Sequence, residues 1–265
     1  MRMRRIAILI DGGYFLKRLP KLVAPQFCST PQQIADSARY LCKRHVQRLV
    51  GLDADADEDG RWLDHVYRLF YYDATPFDGK SHHPLKNQPI DFGKSEVAKS
   101  RRELFTQLRR KRKFALRLGH VNKESNWQID PRLTKDLIKI RKWADHIQAI
   151  LDHPEAPPEL PENESREFQN LIERWQALEE RNVRIGLRQK GVDMRIGLDI
   201  ASITLKQQAD TMILVTGDSD FVPAAKLARR EGIEFLLDPL WQKVSDQLYE
   251  HVDGIISIYS QPEST

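Results

Sequence analysis

Residues 6–10 read Ile-Ala-Ile-Leu-Ile, and Asp11-Gly12-Gly13 follows at once. A short apolar run rich in β-branched residues, with no polar face, must be covered on both sides, as a central strand of a parallel sheet is. The pattern recurs. "HVYRLFYYDATPF" runs to Asp73 and is stopped by Pro76, "KFALRLGHV" fills 113–121, and "TMILVTG" leads to Asp218 and Asp220. "IEFLLDPL" and "GIISIYS" complete the series. Helical spacing fills the intervals. Ile34, Ala38, Leu41, Val46 and Leu49 recur within 31–51, a basic helix covers about 95–111, and "VPAAKLARREG" carries Gly232 as its C-terminal stop. A further short helix fits "QKVSDQLYEHVD". Strands alternating with helices predict an α/β, Rossmann-like, mainly parallel sheet with helices on both faces.

Two stretches read as loops: the acidic "DADADEDG" at 53–60 and the aperiodic segment around 79–95. Residues 123–182 change character. They hold "IDPRLTKDLIKIRKWADHIQAIL", a Pro/Glu-rich hinge "DHPEAPPELPENES", and "REFQNLIERWQALEERN". Two amphipathic helices are expected there, as a helical insertion into one domain whose discontinuous core is 4–122 and 183–259. Trp143 and Trp175 lie on those helices, at positions that suit core or interface packing. Self-association of two copies through the insertion helices is the oligomeric expectation. In "KGVDMRIGLDIASITLKQQ", Met194, Leu198, Ala201 and Leu205 form one stripe of a helix, and Ile196, Ile200 and Ile203 lie on the other side. Such a helix should be buried on two sides. The alternation through 192–200 also fits a strand.

Only two cysteines occur, Cys28 and Cys42, with no Cys/His cluster, so neither a structural zinc site nor a disulfide framework is expected. The apolar run after the basic N-terminus is too short for a signal peptide, and no stretch is long enough to span a membrane. A cytoplasmic protein is expected. A net charge of +4 leans mildly toward a polyanionic partner.

Asp11, Asp73 and the pair Asp218/Asp220 each follow an apolar strand, and Asp193 precedes a helix. Ligand sites in open parallel sheets form at the carboxyl ends of the strands, so these side chains can share one cleft. Carboxylates that close repel, and they need solvent, a basic partner or a metal cation. Gathered together, they would suit Mg2+ or Mn2+, which prefer oxygen ligands.

"ILIDGGYF", "YYDATPF", "KGVDMRIGLDIA" and "ILVTGDSDFVPAAKLARREG", followed by "SDQLYEHVDGIISI", resemble in that order an NYN domain of the LabA-like branch, within the PIN-like nuclease superfamily. The resemblance covers roughly 4–122 and 183–259. It implies a metal-dependent endoribonuclease with an acidic cleft, in which Asp11, Asp193, Asp218 and Asp220 are catalytic and bind metal. Asp73 and Asp199 match further acidic positions of the branch. Asp199 lies about 120° around an ideal helix from Asp193, so it is either a deeper ligand or a structural residue.

The same residues have ordinary structural roles. Asp11-Gly12 suits a turn, Asp218 and Asp193 suit helix N-caps, and Asp210 and Asp238 suit turns. Thr216 and Ser219 can orient water or phosphate or simply close a turn, and Lys190 can reach a phosphate beside Asp193. Arg109, Arg110, Lys111 and Arg112, in "KSRRELFTQLRRKRKF", can track an RNA backbone or form a solvated face. His82 and His83 read as surface residues. The expected activity is metal-dependent hydrolysis of single-stranded or structured RNA. The alternatives are a non-catalytic RNA-binding module and a DNA-directed nuclease. A haloacid-dehalogenase-type phosphatase needs Asp-x-Asp at the first strand, where this chain has Asp11-Gly12-Gly13.

Overall fold

A computed structural model describes residues 3–53, 60–156 and 158–262. The expected acidic loop therefore lies largely outside the described residues. In chain order come strand β1 (Ile6–Asp11), helices α1 (Gly12–Arg18) and α2 (Pro31–Val50), and strands β2 (Val66–Thr75), β3 (Lys80–His82) and β4 (Pro89–Asp91). Next are α3 (Glu96–Arg109), β5 (Phe114–Ile129), α4 (Pro131–Ile138), α5 (Ala144–Asp152), α6 (Glu162–Gln176) and β6 (Val183–Lys190). The chain closes with α7 (Val192–Leu205), β7 (Thr211–Val215), α8 (Val222–Arg230), β8 (Glu234–Asp238), α9 (Asp246–Tyr249) and β9 (Gly254–Ile255).

Seven strands form one sheet in the order β6-β5-β2-β1-β7-β8-β9. β1 pairs parallel with β2 and with β7, β2 with β5, β7 with β8, and β8 with β9. From β1 the chain builds outward through β2, β5 and β6, then returns to add β7, β8 and β9 on the other side. The direction of building reverses between β1 and β7, and at such a switch point the loops diverge and leave a crevice at the carboxyl ends of the strands.

The alternation of β1 divides the core. Ile6, Ile8 and Ile10 point to one face and pack with Ala38, Leu41 and Val46 of α2. Ala7 and Leu9 point to the other and pack with Ile196, Ile200 and Ile203 of α7 and Ala225 of α8. Every side chain from Ile6 to Ile10 is fully buried. α2 starts on a capping box, Thr30 with Gln33, and ends on left-handed Gly51. Gly232 stands just past α8 at φ +82, as its sequence position predicts.

The chain forms two compact units. Residues 1–79, 91–122 and 189–265 bound the first, and 80–90 with 123–188 bound the second. In the second, the segment expected as one long helix is broken into α4, a 3-10 turn at Lys139–Trp143, and α5. Trp143 is buried with its ring 5.4 Å from that of Phe168 on α6, and Arg174 bonds Asp136 at 2.8 Å.

Four local expectations are corrected. The segment around 79–95 contains β3 and β4, which pair in a two-stranded sheet. The third strand does not stop at 121 but runs on to Ile129. His83 is not a surface residue: it is buried, its ring lies 4.9 Å from that of Trp127, and its Nδ1 accepts the Leu85 N–H. α7 is a helix, and it buries its isoleucine stripe with Val192 and Thr204, but of the other apolar stripe Met194, Leu198 and Leu205 are exposed.

Gly12 follows β1 directly, and a Cβ there would lie 2.5 Å from both the Tyr71 ring and the Tyr72 carbonyl. Gly12→Ala should therefore destabilise the protein by about 1–3 kcal/mol through overpacking. Urea unfolding measures this, and an unchanged midpoint would contradict the close approach of α1 to β2.

Candidate active site

β1 delivers Asp11 to the switch point as its last residue. Asp11 is extended (φ −67, ψ 104) and N-caps α1, its Oδ1 accepting the Tyr14 N–H at 3.0 Å. Its Oδ2 accepts the Thr216 hydroxyl at 3.3 Å. Thr216 follows β7, is fully buried, and its Oγ1 accepts the Asp218 N–H at 3.3 Å. Asp218 caps the 3-10 turn Ser219–Phe221, accepting the Asp220 N–H at 2.9 Å. The β1 and β7 ends are thus tied through Thr216, which holds Asp11 beside the Asp218/Asp220 turn. The third contributor is α7. Gly191, at φ +75, is its N-cap, and Asp193 falls in its first turn.

These carboxylates feel one another. Burial pushes the Asp11 carboxyl up, and the charges of Asp193 and Asp73 push the same way against the Tyr14 N–H and Thr216 bonds. Asp193 is also raised, by burial first and then by Asp218 and Asp220. The bonds that Asp11 and Asp218 accept come from backbone N–H groups and a hydroxyl, none of which carries a full positive charge.

The remaining predicted acids have basic partners. Asp73 on β2 is buried, forms an ion pair with Arg101 of α3, and accepts the Ala74 N–H at 2.7 Å. Its carboxyl is raised by burial, with Arg101 opposing. Asp199, two turns into α7, accepts from the Tyr72 hydroxyl and from Arg117 Nε, each at 2.9 Å. Burial, followed by the Asp199 charge, pushes the Tyr72 hydroxyl well above its ordinary value.

Of the predicted nucleic-acid contacts, Lys190 ends β6 just before Gly191, and Ser219 lies in the Asp218/Asp220 turn. Arg109, Arg110, Lys111 and Arg112 precede β5 and so sit at its amino end, the sheet edge opposite the carboxylates. Arg109, Arg110 and Arg112 are exposed, whereas Lys111 is ion-paired with Asp36.

The donor set is all carboxylate and suits a hard dication in kind. Among the described residues, no three His, Cys, Asp or Glu side chains converge closely enough to hold a metal ion as they are placed. Asp193, Asp218 and Asp220 are exposed, with room to change rotamer and close on one.

Sequence reading misses several partners. Arg101 and Arg117 lie on α3 and β5, far along the chain from the acids they pair with, and no local signal marks them. Tyr14 had a signal, since its N–H is three residues past a strand-terminal aspartate. Asp238 reads as a turn residue, yet it is wholly buried with Oδ2 2.8 Å from His45 Nε2 on α2.

Among the described residues, no helix is long and apolar enough to cross a membrane. No curated protein matches the chain. A crystal structure of a protein of unknown function from Vibrio parahaemolyticus RIMD 2210633 is similar at 14% identity, with a TM-score of 0.42, covering 97% of this chain and 96% of that one. The family model for the NYN domain matches residues 123–259, a stretch that carries Asp193, Asp218 and Asp220, while Asp11 and Asp73 precede it. With the match spanning more than half of its length, the chain belongs to the NYN domain family, which lies within the PIN-like nuclease superfamily.

Proposed function

We propose that this NYN protein is a divalent-metal-dependent endoribonuclease of the LabA-like branch, acting in the cytoplasm. The observation that carries the reading is the grouping of Asp11, Asp193, Asp218 and Asp220 at the switch point, where the Asp193 charge bears on Asp11 and those of Asp218 and Asp220 bear on Asp193; among the described residues, no arginine pairs with them as Arg101 and Arg117 pair with Asp73 and Asp199. In this reading the four hold Mg2+ or Mn2+. The ion would supply the charge neutralisation and the acidified water that phosphodiester hydrolysis needs. Thr216 fixes the Asp11 carboxylate, and the Asp218 cap fixes the turn carrying Ser219 and Asp220, so the acids are oriented before substrate arrives. Asp73 adds negative charge behind Asp11, and Asp199 orients Tyr72 and Arg117. In this reading Ser219 and Lys190 would meet the phosphates nearest the cleft. Arg109, Arg110 and Arg112 would meet phosphates of a strand reaching the other sheet edge. On the helical insertion, Ile138, Leu151 and Trp175 are exposed, which supports self-association there.

End-labelled single-stranded RNA should be cut by the wild type with Mn2+ or Mg2+. EDTA should abolish the cutting, and Asp218→Asn should lower it by about 100-fold or more. Cleavage that survives EDTA or the substitution sinks the reading, and a preference for the matching DNA makes the protein a DNA-directed nuclease instead.

The repulsion gives a second expectation. Asp11 and Asp193 are raised, so their charged forms are disfavoured in the folded protein. Below about pH 4 both are protonated and cost nothing. As pH rises through the carboxylate range toward the raised values, their ionisation lowers stability, and the loss is complete once pH has passed those values. A bound dication offsets it. Mn2+ should therefore raise the Tm at pH 7 and leave it unchanged near pH 4, with a smaller gain in Asp193→Asn. Equal gains at both pH values would contradict a carboxylate site.

A further inference from the structure

The loop after β8 lies one strand over from the acidic turn, because β7 and β8 are parallel neighbours with Val215 opposite Asp238. The two loops therefore leave the same edge of the sheet about 5 Å apart. Tyr14 joins them. Its backbone N–H bonds Asp11, its ring packs against Gly217, and its hydroxyl donates to the Pro239 carbonyl. Burial pushes that hydroxyl up to about 12, so it stays a donor at neutral pH.

Beyond Tyr14 opens a cleft of about 520 Å³, lined by Pro239, Trp241, Lys243, Tyr249 and Ile255 among others. Trp241 and Tyr249 are 43% and 64% exposed. Trp241 and Tyr249 line the same cleft, and adjoining apolar surface left in water with polar residues around it is a feature of interaction sites. The backbone beneath them is unusual. Leu240 and Trp241 are consecutive non-glycine residues at φ +48 and +61. That conformation persists only where the surroundings impose it. Here they do: Asp238 accepts the Leu240 N–H, Arg18 donates to the Leu240 carbonyl at 2.7 Å, and Trp241 Nε1 donates to the Tyr259 carbonyl at 2.6 Å. The indole is pinned by its edge with part of its surface in solvent.

We propose that this cleft is a base-stacking subsite for single-stranded nucleic acid, with Trp241 and Tyr249 receiving bases that flank the phosphate at the acidic turn. The proposal rests on the nuclease reading and deepens it by naming an unpaired strand as the substrate. Stacking on a pre-oriented ring accepts any base, and Lys243 supplies the positive charge for the adjoining phosphate. A duplex, whose base faces are already stacked, cannot use the platform.

The test separates binding from cleavage. Wild type, Trp241→Ala, Trp241→Phe and Tyr249→Ala are titrated into a fluorescein-labelled octauridylate in EDTA, and anisotropy gives Kd. Both alanine variants should bind roughly 5- to 100-fold more weakly, with Trp241→Phe closer to wild type, and a duplex should compete poorly. Tyr249→Ala leaves the Trp241 anchor to Tyr259 in place, so it reports on stacking even if Trp241→Ala loosens the loop. Unchanged Kd in Tyr249→Ala and Trp241→Ala, absence of wild-type binding, or equal competition by duplex overturns the subsite. Tryptophan emission that shifts with protein concentration rather than with oligonucleotide assigns the cleft to a second copy, and also overturns it. Cleavage in Mn2+ is measured in parallel. Normal cleavage with unaffected KM in both alanine variants removes the subsite and keeps the nuclease, whereas weakened binding without any wild-type cleavage keeps the subsite and removes the nuclease.

Discussion

β1 has no face that can tolerate water, and most of the first unit follows from covering it. Five consecutive side chains, Ile6 to Ile10, are fully buried, so a layer is needed above and another below. α2 supplies one layer, and α7 with α8 supplies the other. A strand buried on both sides can carry a polar side chain only at its ends. Asp11 is the first position where β1 meets solvent, and the reversal of strand order makes that end a crevice. The site is where it is because the core leaves no other place on β1 for it.

Two of the acids at that crevice, Asp11 and Asp218, also do structural work that a neutral isostere could do. Asp11 caps α1 and Asp218 caps the turn at 219–221 through carboxyl oxygens accepting backbone N–H bonds. An asparagine could accept the same bonds. What it could not supply is the accumulated negative charge. Capping explains an oxygen acceptor at Asp11 and Asp218, but it does not explain why the Asp193 charge bears on Asp11 and the Asp218 and Asp220 charges bear on Asp193. The charge is the part of the arrangement that capping leaves over, and it is what the proposed cation would answer.

Much of this was legible in the sequence. The apolar runs gave β1, β2 and β7 closely, and the aspartates at or just beyond their ends fell at the expected sheet edge because strand direction fixes it. α7 was harder. Two apolar stripes suggested burial on both sides, and only Ile196, Ile200 and Ile203 are covered in the chain. Periodicity reports which side chains share a face; it does not report whether a neighbouring element exists to cover it. The partners of Asp73 and Asp199 were not legible for a related reason. Arg101 lies 28 residues from Asp73 and Arg117 lies 82 from Asp199, and only the folded sheet brings them together.

Asp11 and Asp238 make the same point from inside the fold. Both are strand-terminal aspartates, and both accept a backbone N–H just beyond their strand, from Tyr14 and from Leu240. Asp238 is sealed from solvent, and its second oxygen is met by His45 from α2. A buried polar pair of this kind is poor at adding stability, because desolvating it offsets much of what the contact gains. Its effect is geometric: it fastens the turn after β8 to a helix of the opposite layer and holds Leu240 and Trp241 in left-handed conformations. Among the described residues, Asp11 has only Thr216 on its second oxygen, and it is partly buried beside other acids. The same residue type at the same kind of position becomes a fastening in one case and a charge left beside other acids in the other. What covers it decides which, and for Asp238 that cover comes from 193 residues away.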